Sequence, residues 1–293
     1  MHQNGVFELK LLNYVENGST KAGFTKGSTL YALTEKSVDD ILKSDLLELA
    51  KNNEEKIINE QKGVSIDSVK ILSPVLHPEK IYCAAVNYAS HSKEHKWEPP
   101  TEPYFFTKFQ NALVAHKEPI VIPSISNKVD WEVELAVVIG KSGKYIKKSE
   151  ALDYVAGYTV ANDVSFRDLQ YPKTQSKFGN NWVRGKGLDS AFPLGPWLVT
   201  KDELVDPYAS TISLSVNGIR RQHSKIDEMI FKIDELIEYL SAGITLSPGD
   251  VISTGTPEGV ANFTGVPFLK DGDVVEATIE GIGTLRNPVV SER

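Results

Sequence analysis

A single cysteine, Cys83, among 293 residues rules out an intramolecular disulfide and any cysteine-based zinc site. It lies in the apolar stretch IYCAAV, where a packed thiol is expected rather than a nucleophile. No apolar run approaches the ~20 residues that a membrane span needs. Runs of basic residues are equally lacking, and the formal charge of -7 is spread along the chain. This gives no footprint for nucleic acid or an anionic membrane. The opening residues, MHQNGVFELK, show no basic segment followed by an apolar one, so a soluble, cytoplasmic protein is expected. Two catalytic signatures are missing as well. GKSGK at residues 140–144 lacks the spacing and final Ser/Thr of a phosphate-binding loop, and no G-x-S-x-G stretch offers a hydrolase serine.

What remains is an ordinary globular composition, 41% apolar and 24% charged, long enough for a sizeable core and two unequal domains. Residues 6–33 alternate polar and apolar positions around Asn17-Gly18 and Gly27-Ser28, which predicts a small antiparallel meander. Residues 37–60 switch to helical spacing through Val38, Ile41, Leu42, Leu46 and Leu49. Residues 1–75 therefore read as a small N-terminal α/β accessory domain, and residues 76–293 as the functional one. In the latter, short strand-like runs at 80–85, 132–139, 157–162, 212–216, 250–254 and 274–279 alternate with Gly/Pro turns. Helical patterns are few. One covers 149–155 with Ser149 as its cap, and one begins at Ser165 with Asp168 completing a capping box. The third and longest stripe runs over 226–240. Many strands with few helices predict a β-rich α+β fold, rolled or sandwiched.

The decisive stretch is DWEVELAVVIG, residues 130–140. On a strand, Glu132 and Glu134 share one face, roughly 6.5–7 Å apart. The run Leu135-Ala136-Val137-Val138-Ile139 argues for burial on both faces. Two buried like charges cost several kcal/mol unless neutralised. Either this is an exposed acidic face, or the pair holds a hard divalent cation such as Mg²⁺, Mn²⁺ or Ca²⁺. Asp163, in GYTVANDVSFRDLQ, ends a strand and is either a turn residue or a third ligand. Arg167 and Gln170 follow three residues apart, suited to gripping a carboxylate. His91 and Glu94, in NYASHSKE, are close enough on a helical turn for the acid to orient the imidazole, unless they are a solvated pair. In VISTGTPEGV, Gly255 and Thr256 offer donors to an anion or simply form a turn. Lys186, in NNWVRGKGLD, is either solvated or directed at a substrate oxygen.

Taken in order, NYASHSKE, YFFTK, EVELAVVIG, DYVAGYTVANDVSFRDLQ, NWVRGKGLD, FPLGPWLVT and GDVISTGTPEGV resemble the fumarylacetoacetate hydrolase family, from about residue 78 to the end of the chain. The resemblance implies a rolled β-sandwich catalytic domain, in a homodimer. It also implies a Mg²⁺ (or Mn²⁺ or Ca²⁺) site made by Glu132, Glu134 and Asp163. Arg167, Gln170, Lys108, Gly255 and Thr256 match substrate-binding positions, and Lys186, His91 and Glu94 match catalytic ones. The implied substrate is a small 2-oxo or 2,4-dioxo acid. Its C–C bond would be hydrolysed through an enolate, by water that His91 and Glu94 activate. The same enolate serves isomerisation, decarboxylation of oxaloacetate-like acids and dehydration of 2-keto-3-deoxy sugar acids. A ligand-binding protein without turnover is the reading from another class. Ala84-Ala85-Val86 stand where the family often has a glycine, and Phe109 where it often has proline.

Overall fold

The computed structural model describes residues 9–44, 46–96, 98–171 and 179–292. The start of the expected meander, residues 6–8, lies outside them. The fold is β-rich α+β, built on one large twisted sheet and one smaller sheet. Alternation and turn chemistry account for its beginning. Strands Lys10–Glu16, Ser19–Lys26 and Thr29–Ala32 form the meander. Its first turn carries Asn17 and Gly18 with φ of 50° and 76°, the left-handed pair that a two-residue hairpin requires. The helical stretch that follows is three short helices, Val38–Lys43, Leu47–Asn52 and Glu54–Glu60. Ser37 caps the first of them, accepting from Asp40 N–H.

The meander is continuous with the rest of the molecule. Lys10–Glu16 pairs antiparallel with Phe192–Thr200, and the sheet continues through Val155–Asn162, Val133–Ile139, Val251–Ser253, Ile81–Ala85 and Tyr104–Lys108. The smaller sheet runs Ile219–Lys225, Thr211–Val216, Val274–Ile279, Gly283–Ser291 and Ile120–Ile122. Side chains from both sheets share one apolar core, which includes Val133, Leu135 and Val137 from the large sheet and Leu214, Ala277 and Ile279 from the smaller one. Every residue of Val133–Ile139 and of Val155–Asn162 is buried, as strands covered on both faces must be.

The helical expectations fare less well than the strands. The stripe at 226–240 is a 3₁₀ turn, Ile226–Glu228, followed by a helix that starts only at Ile233 and ends at Ser241. Asn87 interrupts it, because the N–H of Ile230 donates to the Asn87 carbonyl and the N–H of Phe231 to Asn87 Oδ1. Those amides are lost to a helical ladder, although Ile226 and Met229 are still buried. The stretch at 149–155 is a 3₁₀ segment, Lys148–Tyr154, with Lys147 rather than Ser149 at its start. No capping box forms at Ser165. That residue belongs to the short strand Ser165–Phe166, and its hydroxyl donates to the carbonyl of Asp163. Asp168 instead accepts from Ser126 Oγ and Asn127 N–H. Among the described residues no helix is long and apolar enough to cross a membrane.

One consequence for stability lies outside the site. His116 is half-buried, and its Nδ1 accepts from the Arg286 N–H at 3.2 Å. Burial, assisted by the charges of Lys117 and Arg286, pushes its pKa from 6.5 down to about 4. A lowered folded value means that only the unfolded chain takes up this proton between those pH values. Stability from this group is therefore complete above pH 6.5 and drains away as the pH falls toward 4. His116→Gln is expected to flatten the fall of Tm across that window and to leave Tm at pH 8 close to wild type. Parallel Tm–pH curves for the two proteins would contradict this.

Candidate active site

The backbone places the acids. Glu132 immediately precedes Val133–Ile139, its N–H donating to Asn162 Oδ1 at 2.9 Å and its carbonyl accepting from Asp163 N–H at 2.8 Å. Glu132 and Asp163 are thereby fixed side by side at the ends of two paired strands. Val133 is held from both sides, its N–H donating to Gln222 Oε1 at 2.9 Å and its carbonyl accepting from Thr256 Oγ1 at 2.8 Å. Glu134 Oε2 accepts from Ser253 Oγ at 2.5 Å and from Gly255 N–H at 2.9 Å. Gly255 has φ of +92°, and a Cβ there would meet Asn87 Cβ at 2.8 Å. Only glycine can present its N–H to the carboxylate from this position.

All three acids are buried, and one oxygen from each lies within 4.8 Å of the others. Cations surround two of them. Lys186 Nζ bridges Glu132 Oε2 at 2.6 Å and Asp163 Oδ2 at 2.8 Å. Arg167 Nη2 reaches Glu132 Oε1 at 2.5 Å, and Lys108 Nζ reaches Asp163 Oδ1 at 2.7 Å. Burial alone would push the Glu132 carboxyl up, but Lys186 and Arg167 outweigh it and hold its pKa well below the usual carboxylate range. Glu134 behaves oppositely. No ion pair among the described residues reaches it, and burial, with Asp163 and Glu132 beside it, pushes its pKa well above the usual range. Burial would lower Lys186, yet Asp163 and Glu132 raise it, so it remains an ammonium.

Glu132, Glu134, Asp163, Arg167, Gln170, Lys186, Thr256 and His91 line one cavity, walled by Ala84, Ala85, Val86, Phe106, Tyr171 and Trp182. Most of the residues singled out in the sequence thus converge. His91 and Glu94 sit on the helix Ala89–His95, with Nδ1 and Oε2 3.4 Å apart, and Glu94 Oε1 accepts from Gly259 N–H at 3.1 Å. The structure does not bring Lys108 into the cavity. Its ammonium stands behind Asp163, donating to the carbonyls of Val164, Lys186 and Ala191 at 3.1, 2.6 and 2.7 Å. Burial, together with the nearby Lys186 charge, lowers its pKa against the pull of Asp163. Gly255 contributes its amide to Glu134 rather than to the cavity wall.

The donor set suits a hard divalent cation. Two oxygens on one ion can be no further apart than twice the bond length, roughly 4.2 Å for Mg²⁺ and up to about 5 Å for Ca²⁺. The spacing of the three carboxylates meets that limit within small adjustments. Glu134, buried without a cation, is the acid that such an ion would neutralise, and carboxylate oxygens select Mg²⁺, Mn²⁺ or Ca²⁺ over softer metals.

Three participants were not legible as such in the sequence. Asp130 accepts from Arg167 Nε at 2.9 Å, Ser253 binds Glu134, and Gln222 reaches across from the smaller sheet. Asp130 and Ser253 lie inside stretches already marked as unusual, DWEVELAVVIG and VISTGTPEGV. Gln222 has no local signal at all.

A β-rich α+β fold thus gathers three buried carboxylates, two basic side chains and a His/Glu pair around one cavity, with a donor set that suits a divalent cation. The fumarylacetoacetate (FAA) hydrolase C-terminal family model matches residues 80–290, and the chain belongs to that family. It is 49% identical over 223 residues to the mitochondrial oxaloacetate tautomerase FAHD2B of Bos taurus, covering 76% of this chain and 70% of the bovine protein. Among solved structures, a fumarylacetoacetate hydrolase from Exiguobacterium antarcticum superimposes with a TM-score of 0.83 at 32% identity, over 97% of this chain and 100% of that one. The maleylpyruvate hydrolase of Sphingobium sp. SYK-6, in complex with manganese(II) ion and pyruvate, gives 0.81 at 27% identity, over the same shares.

Proposed function

We propose that the protein is a Mg²⁺- or Mn²⁺-dependent enzyme that makes and protonates the enolate of a small 2-oxo acid. The observation that carries this is the convergence of Glu132, Glu134 and Asp163 with Lys186, Arg167 and His91 in one cavity. Glu132, Glu134 and Asp163 would hold the cation, which supplies Lewis acidity toward a carbonyl oxygen. The remaining chemistry belongs to the chain. Arg167 has five N–H groups and gives one each to Asp130, Gln170 and Glu132, leaving donors for the substrate carboxylate. Lys186, fixed between Glu132 and Asp163, stabilises negative charge as it develops on the 2-oxo oxygen. Thr256 and Gln170 complete the polar wall.

His91 moves the proton. In the simplest reaction it removes a proton from the carbon beside the carbonyl; the C–H electron pair becomes the C=C bond, the C=O π pair moves onto oxygen, and that oxygen takes a proton from solvent. That is keto–enol tautomerisation. It is the first reading, because an oxaloacetate tautomerase shares 49% identity over 76% of the chain. A second reading, hydrolysis of an acylpyruvate-type C–C bond, is favoured by the His91–Glu94 pair, whose acid lies 3.4 Å from the imidazole. Here His91 takes a proton from water, the hydroxide adds to the second carbonyl, and the C–C bond breaks to give a carboxylic acid and a pyruvate enolate, whose carbon takes the proton back from His91.

The test is a panel of oxaloacetate enol, acylpyruvates and 2-keto-3-deoxy acids, assayed with Mg²⁺, with Mn²⁺ and with EDTA. Turnover of the oxaloacetate enol that EDTA abolishes supports the first reading, and pyruvate release from an acylpyruvate supports the second. Activity that survives complete removal of metal, or none on any compound, overturns the proposal.

A further inference from the structure

We infer that Asp130 is a positioning residue that sets the Glu132 carboxylate and Glu94 in register with each other; this rests on the metal reading above. Asp130 is fully buried and receives four donors. Oδ1 accepts from Trp131 N–H at 2.9 Å and Ala261 N–H at 2.8 Å, while Oδ2 accepts from Arg167 Nε at 2.9 Å and Asn262 N–H at 3.1 Å. It does not line the cavity of the carboxylate cluster, so it acts there only through others.

Two arms leave this carboxylate. The first is the guanidinium of Arg167, a rigid plane whose Nε is fixed by Asp130 and whose Nη2 grips Glu132 Oε1 at 2.5 Å. Because the guanidinium is planar, holding Nε fixes the direction in which Nη2 points. The second is the segment that leads into the short helix Ala261–Thr264. Its Ala261 and Asn262 amides end on Asp130, and two residues earlier the Gly259 N–H donates to Glu94 Oε1 at 3.1 Å. Trp131, the residue next to Asp130, closes the same loop by donating Nε1–H to the Gly259 carbonyl at 3.1 Å. One buried acid therefore braces an acid of the carboxylate cluster on one side and the partner of His91 on the other. A carboxylate that binds metal depends on such outer partners, whose loss costs typically 10–100-fold in affinity or activity.

The experiment is calorimetric titration of Mn²⁺ into chelator-treated wild type, Asp130→Asn, Arg167→Gln and the double variant. Hydrogen exchange of the 255–264 backbone is followed in parallel. Asp130→Asn is nearly isosteric and is expected to weaken Mn²⁺ binding about 10–100-fold, although Asp130 holds no metal itself, and to speed exchange at Gly259. In the Arg167→Gln background the same change should have little further effect on affinity, since the arm to Glu132 is already cut. A merely structural role would lower Tm and leave the affinity of the folded protein unchanged. Should Asp130→Asn fail to fold, Asp130→Glu keeps the charge and shifts it by one methylene, and it too should bind Mn²⁺ more weakly. Wild type that does not bind Mn²⁺ overturns the metal reading and this inference with it. Wild type that binds, with variant affinity unchanged or with fully multiplicative losses in the double variant, overturns this inference alone.

Discussion

Glu134→Gln is expected to abolish divalent-cation binding while leaving the fold intact, a loss of more than the roughly 100-fold that removal of an outer partner reaches. Glutamine matches glutamate in shape, and its amide oxygen can keep the bonds from Ser253 Oγ and Gly255 N–H. Burial and two neighbouring acids already disfavour the ionised form at this position, so a neutral glutamine costs the metal-free fold little. Tm in the absence of metal should therefore hold. Calorimetry with Mn²⁺ reads the first effect and a thermal melt the second. Binding equal to wild type would mean that the carboxylates form a salt-bridge cluster and nothing more.

His91→Ala is expected to reduce turnover about 10²–10⁴-fold, the usual contribution of a positioned acid–base group, with Mn²⁺ affinity unchanged. The imidazole lines the cavity but lies outside the three-carboxylate cluster, so the two functions should separate cleanly. Glu94→Gln should fall between wild type and His91→Ala. Glutamine can still accept from the Gly259 N–H, but it loses the charge that supports an imidazolium. A His91→Ala enzyme with near-normal kcat on its best substrate would remove His91 from the proton transfer in both readings.

The strands were legible because burial on both faces and sharp Gly/Pro turns leave a strong local pattern. The expected run at 274–279 matches Val274–Ile279, and those at 132–139 and 250–254 match to within one residue at either end. Helices were harder, since the 226–240 stripe kept its apolar face while Asn87, more than a hundred residues away in sequence, took its amides. The site shows the same division. Glu132 with Glu134, and His91 with Glu94, are neighbours at two and three residues, and such pairs can be read from spacing. Asp130–Arg167 and Val133–Gln222 are bridged across 37 and 89 residues, and no local period encodes them. Lys108 illustrates the limit of carrying a role over by resemblance. Its motif matched, yet its ammonium is spent on three carbonyls and Asp163, one step behind the cavity.

The bridging ammonium of Lys186 separates the three acids into two kinds. In this arrangement it neutralises Glu132 and Asp163 together, and Glu134 is left to two neutral donors. The most direct measurement is an anomalous-difference map from crystals soaked in Mn²⁺. The expected result is one strong peak bonded to an oxygen of each of Glu132, Glu134 and Asp163, at roughly the 2.1 Å of a small hard ion. A map without a peak among those three carboxylates, from crystals that take up Mn²⁺ elsewhere, would contradict it.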